Sequence, residues 1–288
     1  MKTIAVYPNI NKAESADVMK RIHQYFSDKD VRIVMTRDTA DMYGCSEYGV
    51  DNINGEPVDL GLSIGGDGTL LGVCRKLYNN LIPACGINIG RVGFLADIEL
   101  SELEPRLDNL LNGEYQIVER TVISGSVASK GNRRFLGHAI NDVVIGKGGL
   151  SRMLYLGLRI NDNYINDYKA DGIIVSTATG STAYSLSAGG PIVNPGVQAL
   201  LITPICPHTL DARPMIIPDD DEVQIYIAAL HQDIQITFDG QESYQVLPGD
   251  VVHIRKGKNP ARIIKFGDKN YYHTLKNKLW GNNNANFF

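Results

Sequence analysis

The sequence predicts an α/β N-terminal domain built on a parallel sheet, followed by a mostly β C-terminal domain. Three observations predict this. Strand and helix patterns alternate in the first third, short strands separated by turn signals follow from about Tyr115, and 43% of the 288 residues are hydrophobic. A chain of this length can form one large domain or two ordinary ones, each with its own core. We expect domains at 1–114 and 115–270, with a C-terminal helix and tail at 271–288.

In the first domain, short apolar runs alternate with segments whose apolar residues recur at helical spacing, as in Val18, Met19, Ile22, Tyr25 and Phe26. This alternation is typical of a parallel sheet covered by helices. The predicted strands lie at 3–7, 31–35, 60–64 and 83–87, and further helices at 69–78 and 101–112. The last helix is expected to begin with a capping box of Ser101 and Glu104 and to end at Gly113.

The second domain reads as β-branched runs separated by Gly, Asn, Asp and Pro, for example at Lys130-Gly131-Asn132 and Asn161-Asp162-Asn163. A closing helix is predicted over 271–280. The Asn-rich segment from Gly281 to Phe288 is expected to fray.

The composition excludes some classes of partner. The formal net charge is −4, so the chain has no general attraction to nucleic acid. We expect neither a signal peptide nor a bilayer-spanning stretch. Cys45, Cys74, Cys85 and Cys206 lack the spacing of a metal site, and we expect buried, reduced thiols in a cytoplasmic protein.

The most informative motif is Gly65-Gly66-Asp67-Gly68-Thr69, which joins a predicted buried strand to a helix. Glycines permit positive φ and close approach of a ligand, and amides beside a helix N-terminus bind phosphate. Asp67 is either the helix N-cap or a functional carboxylate. A carboxylate in a phosphate site repels its ligand unless it binds a metal or accepts a proton, so the motif favours phosphoryl transfer.

Two further motifs lie in the β-rich half. After Asp171-Gly172, an apolar strand leads into Thr179-Gly180-Ser181-Thr182-Ala183-Tyr184, where small hydroxyl residues surround one aromatic ring. These residues either line a site for a planar ligand or bond only to backbone. In the third motif, Asn141 and Asp142 adjoin in an apolar run, so one of them must point inward unless a turn ends the strand there.

Together these motifs resemble the NAD kinase family in content and in order along the chain. The resemblance also covers Asn88-Ile89-Gly90-Arg91-Val92-Gly93-Phe94-Leu95 and Asp239-Gly240-Gln241. It implies a Rossmann-like N-terminal domain and a β-rich domain that binds NAD and self-associates. The family transfers the γ-phosphoryl group of ATP, or polyphosphate, to the 2′-hydroxyl of the adenosine ribose of NAD.

The resemblance also implies roles for individual residues. Asp67 would accept the proton of the ribose hydroxyl, and Gly65, Gly66, Gly68 and Thr69 would form the phosphate loop. The implied NAD contacts are Asp67, Gly68, Asn141, Asp142, Arg152, Lys169, Asp171, Thr182, Ala183, Tyr184, Ser185, Leu186, Ser187 and Gln241. Asp142 stands where many members have Glu, and Lys169 where many have Arg. A divalent metal, usually Mg²⁺, is implied without assigned ligands, together with a homodimer or homotetramer.

Two rival functions would use the same motifs. A lipid kinase of the diacylglycerol type shares the GGDG turn but needs an exposed apolar or basic patch that the sequence does not show. A non-catalytic dinucleotide sensor would need the Asn, the Asp and the hydroxyls, but it has no use for a carboxylate in its phosphate turn.

Overall fold

The computed structural model describes residues 1–90, 93–149, 152–209, 211–229 and 231–281. The chain divides into two compact units, Met1–Glu119 together with the residues from Arg262 onward, and Arg120–Ala261. These boundaries differ from the expected 114/115 and 270/271. Strands Gln116–Arg120 and Ala261–Lys265, which flank the β-rich part, both belong to the sheet of the first unit.

The first unit is built on one eight-stranded sheet. Its strands are β1 Lys2–Pro8, β2 Val31–Thr36, β3 Gly49–Val50, β4 Leu60–Gly65, β5 Ala84–Asn88, β6 Ile98–Glu99, β7 Gln116–Arg120 and β20 Ala261–Lys265. The order is β3-β2-β1-β4-β5-β20-β7, and β6 pairs with β5. β1 is parallel to β2 and β4, and β5 is parallel to β4, β6 and β20. The predicted parallel sheet is confirmed.

This unit also contains the helices predicted at 18–26, 69–78 and 101–112, together with two others. They are α1 Glu14–Phe26, α2 Arg37–Met42, α3 Asp67–Leu77, α4 Leu103–Asn112 and α6 Tyr271–Leu279. α1 buries Val18, Met19, Ile22 and Phe26. α4 ends at Gly113, whose φ of +76° is the left-handed conformation that glycine favours.

The predicted capping box of α4 is wrong. Ser101 lies in a 3₁₀ turn that precedes the helix, and the N-cap is Glu102, without a side-chain cap. Glu104 instead binds Arg21 of α1, with its carboxylate oxygens 2.8 Å from Nη2. Glu104 is therefore used in a contact between two helices rather than in the local cap that the sequence pattern suggested.

The second unit consists of two six-stranded sheets, and every recorded strand pair in them is antiparallel. One sheet has the order β15-β14-β13-β10-β17-β18 and the other β12-β11-β16-β19-β8-β9. The strands are β8 Ile123–Ser129, β9 Asn132–Ala139, β10 Asp142–Lys147, β11 Leu154–Ile160, β12 Asn163–Ala170, β13 Gly172–Thr177, β14 Ala199–Ile205, β15 Met215–Pro218, β16 Val223–Ile227, β17 Ile234–Phe238, β18 Glu242–Gln245 and β19 Val251–Lys256. A short helix, α5, spans Tyr184–Ser187.

The two sheets of the second unit share one apolar core, to which β10, β13 and β17 contribute from one sheet and β11, β16 and β19 from the other. Phe238 is fully buried there and lies so close to β8 that a Cβ on Gly125 would come within 2.6 Å of its ring. The mostly β second domain is therefore confirmed, and with it the predicted fold class.

The four cysteines are thiols that form no disulfide, as expected. Cys45, Cys74 and Cys85 are buried, but Cys206 is exposed, so the expectation of burial is wrong for that residue. Within the described ranges, the helices are too short or too polar to cross a membrane. The prediction of a frayed tail concerns residues 282–288, which lie outside the described residues.

Candidate active site

The glycine-rich turn follows a strand in which all six residues are buried, β4, and leads directly into α3. Gly66 is the N-cap and Asp67 is the first helical residue, without a side-chain cap. The interpretation of Asp67 as an N-cap is therefore wrong. The glycines of the turn are also not required for positive φ, since none of them has it. Gly65 is required by close packing, because a Cβ there would lie 2.2 Å from Thr69 Oγ1.

The Asp67 carboxylate accepts three successive backbone amides from the loop after β5. Oδ2 accepts from Phe94 N at 2.6 Å, and Oδ1 accepts from Leu95 N and Ala96 N at 3.0 Å each. A Cβ on Gly93 would lie 1.8 Å from Oδ1, so only glycine fits there. The Gly93-Phe94-Leu95 motif and the glycine turn, separate in sequence, thus form one structure. Arg91 and Val92 of the same motif lie outside the described residues.

Polar side chains that the sequence analysis did not assign surround this turn. Asn9 follows β1 and donates from Nδ2 to Thr69 Oγ1 at 3.1 Å. Lys12 Nζ donates to Ile89 O, just after β5, at 2.5 Å. Their positions in the sequence could have identified both residues as candidates. Residues that follow neighbouring parallel strands meet at one edge of the sheet, and α/β proteins bind ligands at that edge.

Asn88, the last residue of β5, also contributes to this edge. It is 4% exposed, and its Oδ1 has no hydrogen-bond partner among the described residues. A Cβ on Gly66 would lie 4.0 Å from that oxygen. A buried acceptor without a donor is costly, so the geometry suits a ligand group or a cation at this position.

In the second unit, Asn141 lies in a bend between β9 and β10, and Asp142 begins β10. Asn141 is half-buried and Asp142 is 4% exposed, so the inward residue is the aspartate. Thr177 holds the bend by donating from Oγ1 to Ile140 O at 2.6 Å and from its amide to Asn141 O at 2.9 Å. Gly180 packs against the same backbone, where a Cβ would lie 2.1 Å from Asn141 O.

Burial, and to a smaller extent the neighbouring negative charge of Asp239, raise the pKa of Asp142 to about 7. Asp142 is therefore partly protonated near neutral pH. A buried carboxyl group with a strongly raised pKa is typical of a functional site.

The hydroxyl-rich segment divides according to which way its residues point. The inward hydroxyls bond within the protein, as the purely structural interpretation predicted: Ser181 Oγ lies 3.0 Å from both Val193 O and Val193 N, and Ser185 Oγ lies 2.9 Å from Thr203 Oγ1. The outward side chains remain available, and Tyr184 is 46% exposed. In this segment, the half-buried or exposed members of the expected NAD set are Thr182, Ala183, Tyr184, Leu186 and Ser187. Gln241, between β17 and β18, is also exposed.

Asp171 lies at the other end of β13 from this segment. The strand separates Asp171 from Thr177 by six residues, or about 20 Å. Lys147 Nζ pairs with Asp171 Oδ1 at 2.8 Å. Lys169 lies over the Tyr155 ring at 5.7 Å, and Arg152 is exposed. The fold of one chain therefore does not bring Asp171 together with Asn141 and Asp142.

Two solved structures of NAD or NADH kinases have the same fold as this chain. The yeast NADH kinase complexed with NADH has a TM-score of 0.88 and 24% identity, covering 99% of this chain and 89% of that one. The Archaeoglobus fulgidus NAD kinase in complex with ATP has a TM-score of 0.75 and 24% identity, covering 98% of this chain and 99% of that one. At these identities the similarity establishes the fold.

Sequence relatives are more similar. The NAD kinase of Moorella thermoacetica is 40% identical over 279 residues, covering 97% of this chain and 89% of the relative. That of Caldanaerobacter subterraneus subsp. tengcongensis is 40% identical over 280 residues, covering 97% and 99%. Residues 4–115 match the ATP-NAD kinase N-terminal domain, and residues 140–266 match the ATP-NAD kinase C-terminal domain. With both domains matched in order and near-complete coverage by these relatives, the chain belongs to the ATP-NAD kinase family.

Proposed function

We propose that this chain transfers the γ-phosphoryl group of ATP, or of polyphosphate, to the 2′-hydroxyl of the adenosine ribose of NAD, giving NADP. The observation that carries this proposal is the Asp67 carboxylate, fixed by three amides at the first residue of a helix within a glycine turn. Relatives named NAD kinase, 40% identical over 97% of the chain, support the substrate and the reaction.

Asp67 is the proposed proton acceptor. Its Oδ2 accepts one amide and its Oδ1 accepts two, while a carboxylate has about four lone-pair directions, so Oδ2 can still accept the ribose hydroxyl. A carboxylate is a far weaker base than an alkoxide, and the proton therefore leaves late, as the P–O bond forms. Positioning and charge neutralisation supply most of the rate because phosphoryl transfer has a loose transition state.

The phosphate loop of Gly65, Gly66, Gly68 and Thr69 is proposed to hold the triphosphate. The first amides of a helix lack intrahelical partners and carry the positive end of the dipole, which favours phosphate at the start of α3. Lys12 adds a positive charge at the edge of the same sheet.

A divalent metal, expected to be Mg²⁺, is part of the proposal. The described residues contain no group of three His, Cys, Asp or Glu that would hold a metal by themselves. Protein sites commonly bind Mg²⁺ through one or two side chains, waters and the phosphates of the substrate. Asn88 Oδ1, an oxygen acceptor without a described partner, would be its ligand from the protein. The metal would neutralise charge on the triphosphate.

The proposed NAD contacts remain those predicted from the resemblance. We also propose a cytoplasmic homodimer or homotetramer. The position of Asp171 is relevant to the assembly, because it lies about 20 Å along β13 from the end of that strand that contacts Asn141. If both residues contact one NAD molecule, Asp171 could come from a second copy of the chain. Sedimentation at micromolar concentration tests the assembly, and a monomer would contradict it.

A coupled assay tests the reaction. The protein is incubated with Mg²⁺, NAD and either ATP or polyphosphate, and NADP is detected by its enzymatic reduction. Parallel reactions with NADH and with diacylglycerol define the acceptor. NADP formation that depends on the donor is expected. Binding of NAD without NADP formation from either donor would instead identify a sensor, and phosphorylation of diacylglycerol alone a lipid kinase.

A further inference from the structure

We propose that Asp239 is a positioning residue of the NAD site, whose carboxylate fixes the backbone bend that presents Asn141 and Asp142. This inference rests on the proposed function, because those two residues are the expected NAD contacts. Neither the motif analysis nor the resemblance gave Asp239 a role of its own.

Asp239 contacts every backbone amide of the bend. Its Oδ1 accepts from Ile140 N at 3.1 Å, Asn141 N at 2.7 Å and Asp142 N at 3.2 Å, while Oδ2 also accepts from Ile140 N at 3.2 Å. The Asp239 amide donates in return to Asp142 O at 2.9 Å. Hydrogen bonds to a charged acceptor are stronger than neutral ones, so this contact fixes the bend in one geometry.

The alternative is that Asp239 serves only its own turn. Asp239, Gly240 and Gln241 connect β17 to β18, and the first two have φ of +49° and +63°. Asp-Gly is a preferred pair in such hairpins for conformational reasons alone. A role in the hairpin, however, requires no acceptor for amides about a hundred residues away, and the recorded bonds span 97 to 99 residues.

The same unit contains a hairpin that serves as the comparison. Asn161 and Asp162 connect β11 to β12 with φ of +48° and +65°. The Asp162 carboxylate accepts from Gln224 Nε2 at 2.7 Å on the exposed surface. Asp162 thus shares the left-handed backbone and the side-chain type of Asp239 but does not contact the Asn141 bend.

Two of the three amides that Asp239 accepts belong to buried residues. Ile140 is fully buried and Asp142 is 4% exposed, so their amides would lose an acceptor inside the protein. Thr177 and Gly180 hold the opposite side of the bend. Loss of Asp239 would therefore release one side only, and the bend would shift rather than unfold.

The test compares Asp239→Gly with Asp162→Gly in steady-state assays of NADP formation. Glycine keeps the left-handed backbone of both hairpins and removes only the carboxylate. We expect Asp239→Gly to raise the KM for NAD about tenfold, in line with the loss of hydrogen bonds that place the contacts, with little change in the KM for ATP. Asp162→Gly should leave both constants unchanged. An unchanged KM for NAD in Asp239→Gly, or an equal rise for ATP, would overturn the proposal.

Asp239→Asn provides the conservative variant, and it decides the question if Asp239→Gly does not fold. Asn favours the same turn and keeps Oδ1, but its amide group replaces Oδ2, which faces the Ile140 amide. A KM for NAD raised about threefold, between wild type and Asp239→Gly, is expected. A value equal to that of the wild type would refute the role. Calorimetric NAD dissociation constants should follow the same order, and they test the positioning role separately if the wild type makes no NADP.

Discussion

One aspartate in each unit makes the same contact in different surroundings. Asp67 accepts the amides of residues 94–96, and Asp239 accepts those of residues 140–142. In both cases a short carboxylate ties together two turns that lie far apart in sequence. Three successive amides that point in one direction can share one acceptor, and aspartate reaches them without adding bulk.

The electrostatic surroundings differ. Asp67 starts α3, where the helix dipole and the turn amides favour a negative charge. Asp239 lies beside Asp142, a second and nearly buried carboxyl group, and its charge helps raise the pKa of that group. The contact alone therefore does not separate a reacting carboxylate from a positioning one. The charges beside each carboxylate are what differ between the two regions.

Asp67→Asn should have the largest effect. Asn keeps the size of the side chain but removes the negative charge and the ability to accept a proton, and its amide cannot accept from Phe94 N. We expect kcat to fall about 10²–10⁴-fold, with the NAD dissociation constant little changed. Turnover, NAD binding and the melting temperature should be measured together. Near-normal turnover would remove Asp67 from the mechanism and make the two aspartates equivalent.

Gly93→Ala should break the Asp67 contact without changing the carboxylate. The new Cβ would lie 1.8 Å from Asp67 Oδ1, so the carboxylate or the loop must move. Misplacement by about 1 Å can lower the rate about 10²-fold, and we expect a loss of that order in kcat. Gly55→Ala is the matched control in the same unit, because its Cβ would meet only Asn52 Nδ2 at 3.7 Å. Equal kcat in both variants would mean that the exact placement of Asp67 does not matter.

The crowding of carboxyl groups in the second unit predicts a pH effect on stability. The pKa of Asp142 is raised from 3.8 to about 7, so the folded protein binds more protons than the unfolded chain across that interval. Stability therefore falls as pH rises through this window. Between pH 5 and pH 8, the wild type should lose about 2 kcal/mol of unfolding free energy relative to Asp142→Asn, which cannot ionise.

Urea denaturation of both proteins at the two pH values measures this difference. Asp239→Asn should reduce it, because Asp239 contributes to the raised pKa of Asp142. A wild type that becomes more stable than Asp142→Asn as pH rises would contradict the assignment.

Tyr184→Ala should have the smallest effect. The side chain is 46% exposed, so its removal should change the unfolding free energy by about 0.5 kcal/mol or less. If the ring lies against the bound dinucleotide, the KM for NAD should rise about threefold, as expected for loss of one aromatic contact. Unchanged KM and kcat would show that Tyr184 is not part of the site.

Local sequence patterns were sufficient to predict most helices and strands of the fold. The apolar periodicity of α1 and the buried run of β4 predicted their positions to within a few residues, because each depends on burial of its own side chains. The capping box at Ser101 failed because Glu104 binds Arg21 of another helix, a partner that the local sequence does not reveal. The glycine turn was located correctly, but the reason for Gly65 is the packing of Thr69 rather than positive φ.

By itself the sequence determined the two-part fold, the resemblance to NAD kinases and the motifs around Asp67, Asn141 and Thr182. Only the tertiary structure decided that Asp67 holds residues 94–96, that Asp239 holds residues 140–142, and that β13 separates Asp171 from the Asn141 bend. The physical reason is that an amide's acceptor is chosen by proximity in space. Periodicity and turn chemistry report which residues are buried or bent, but they carry no information about which distant carboxylate will accept a row of backbone amides.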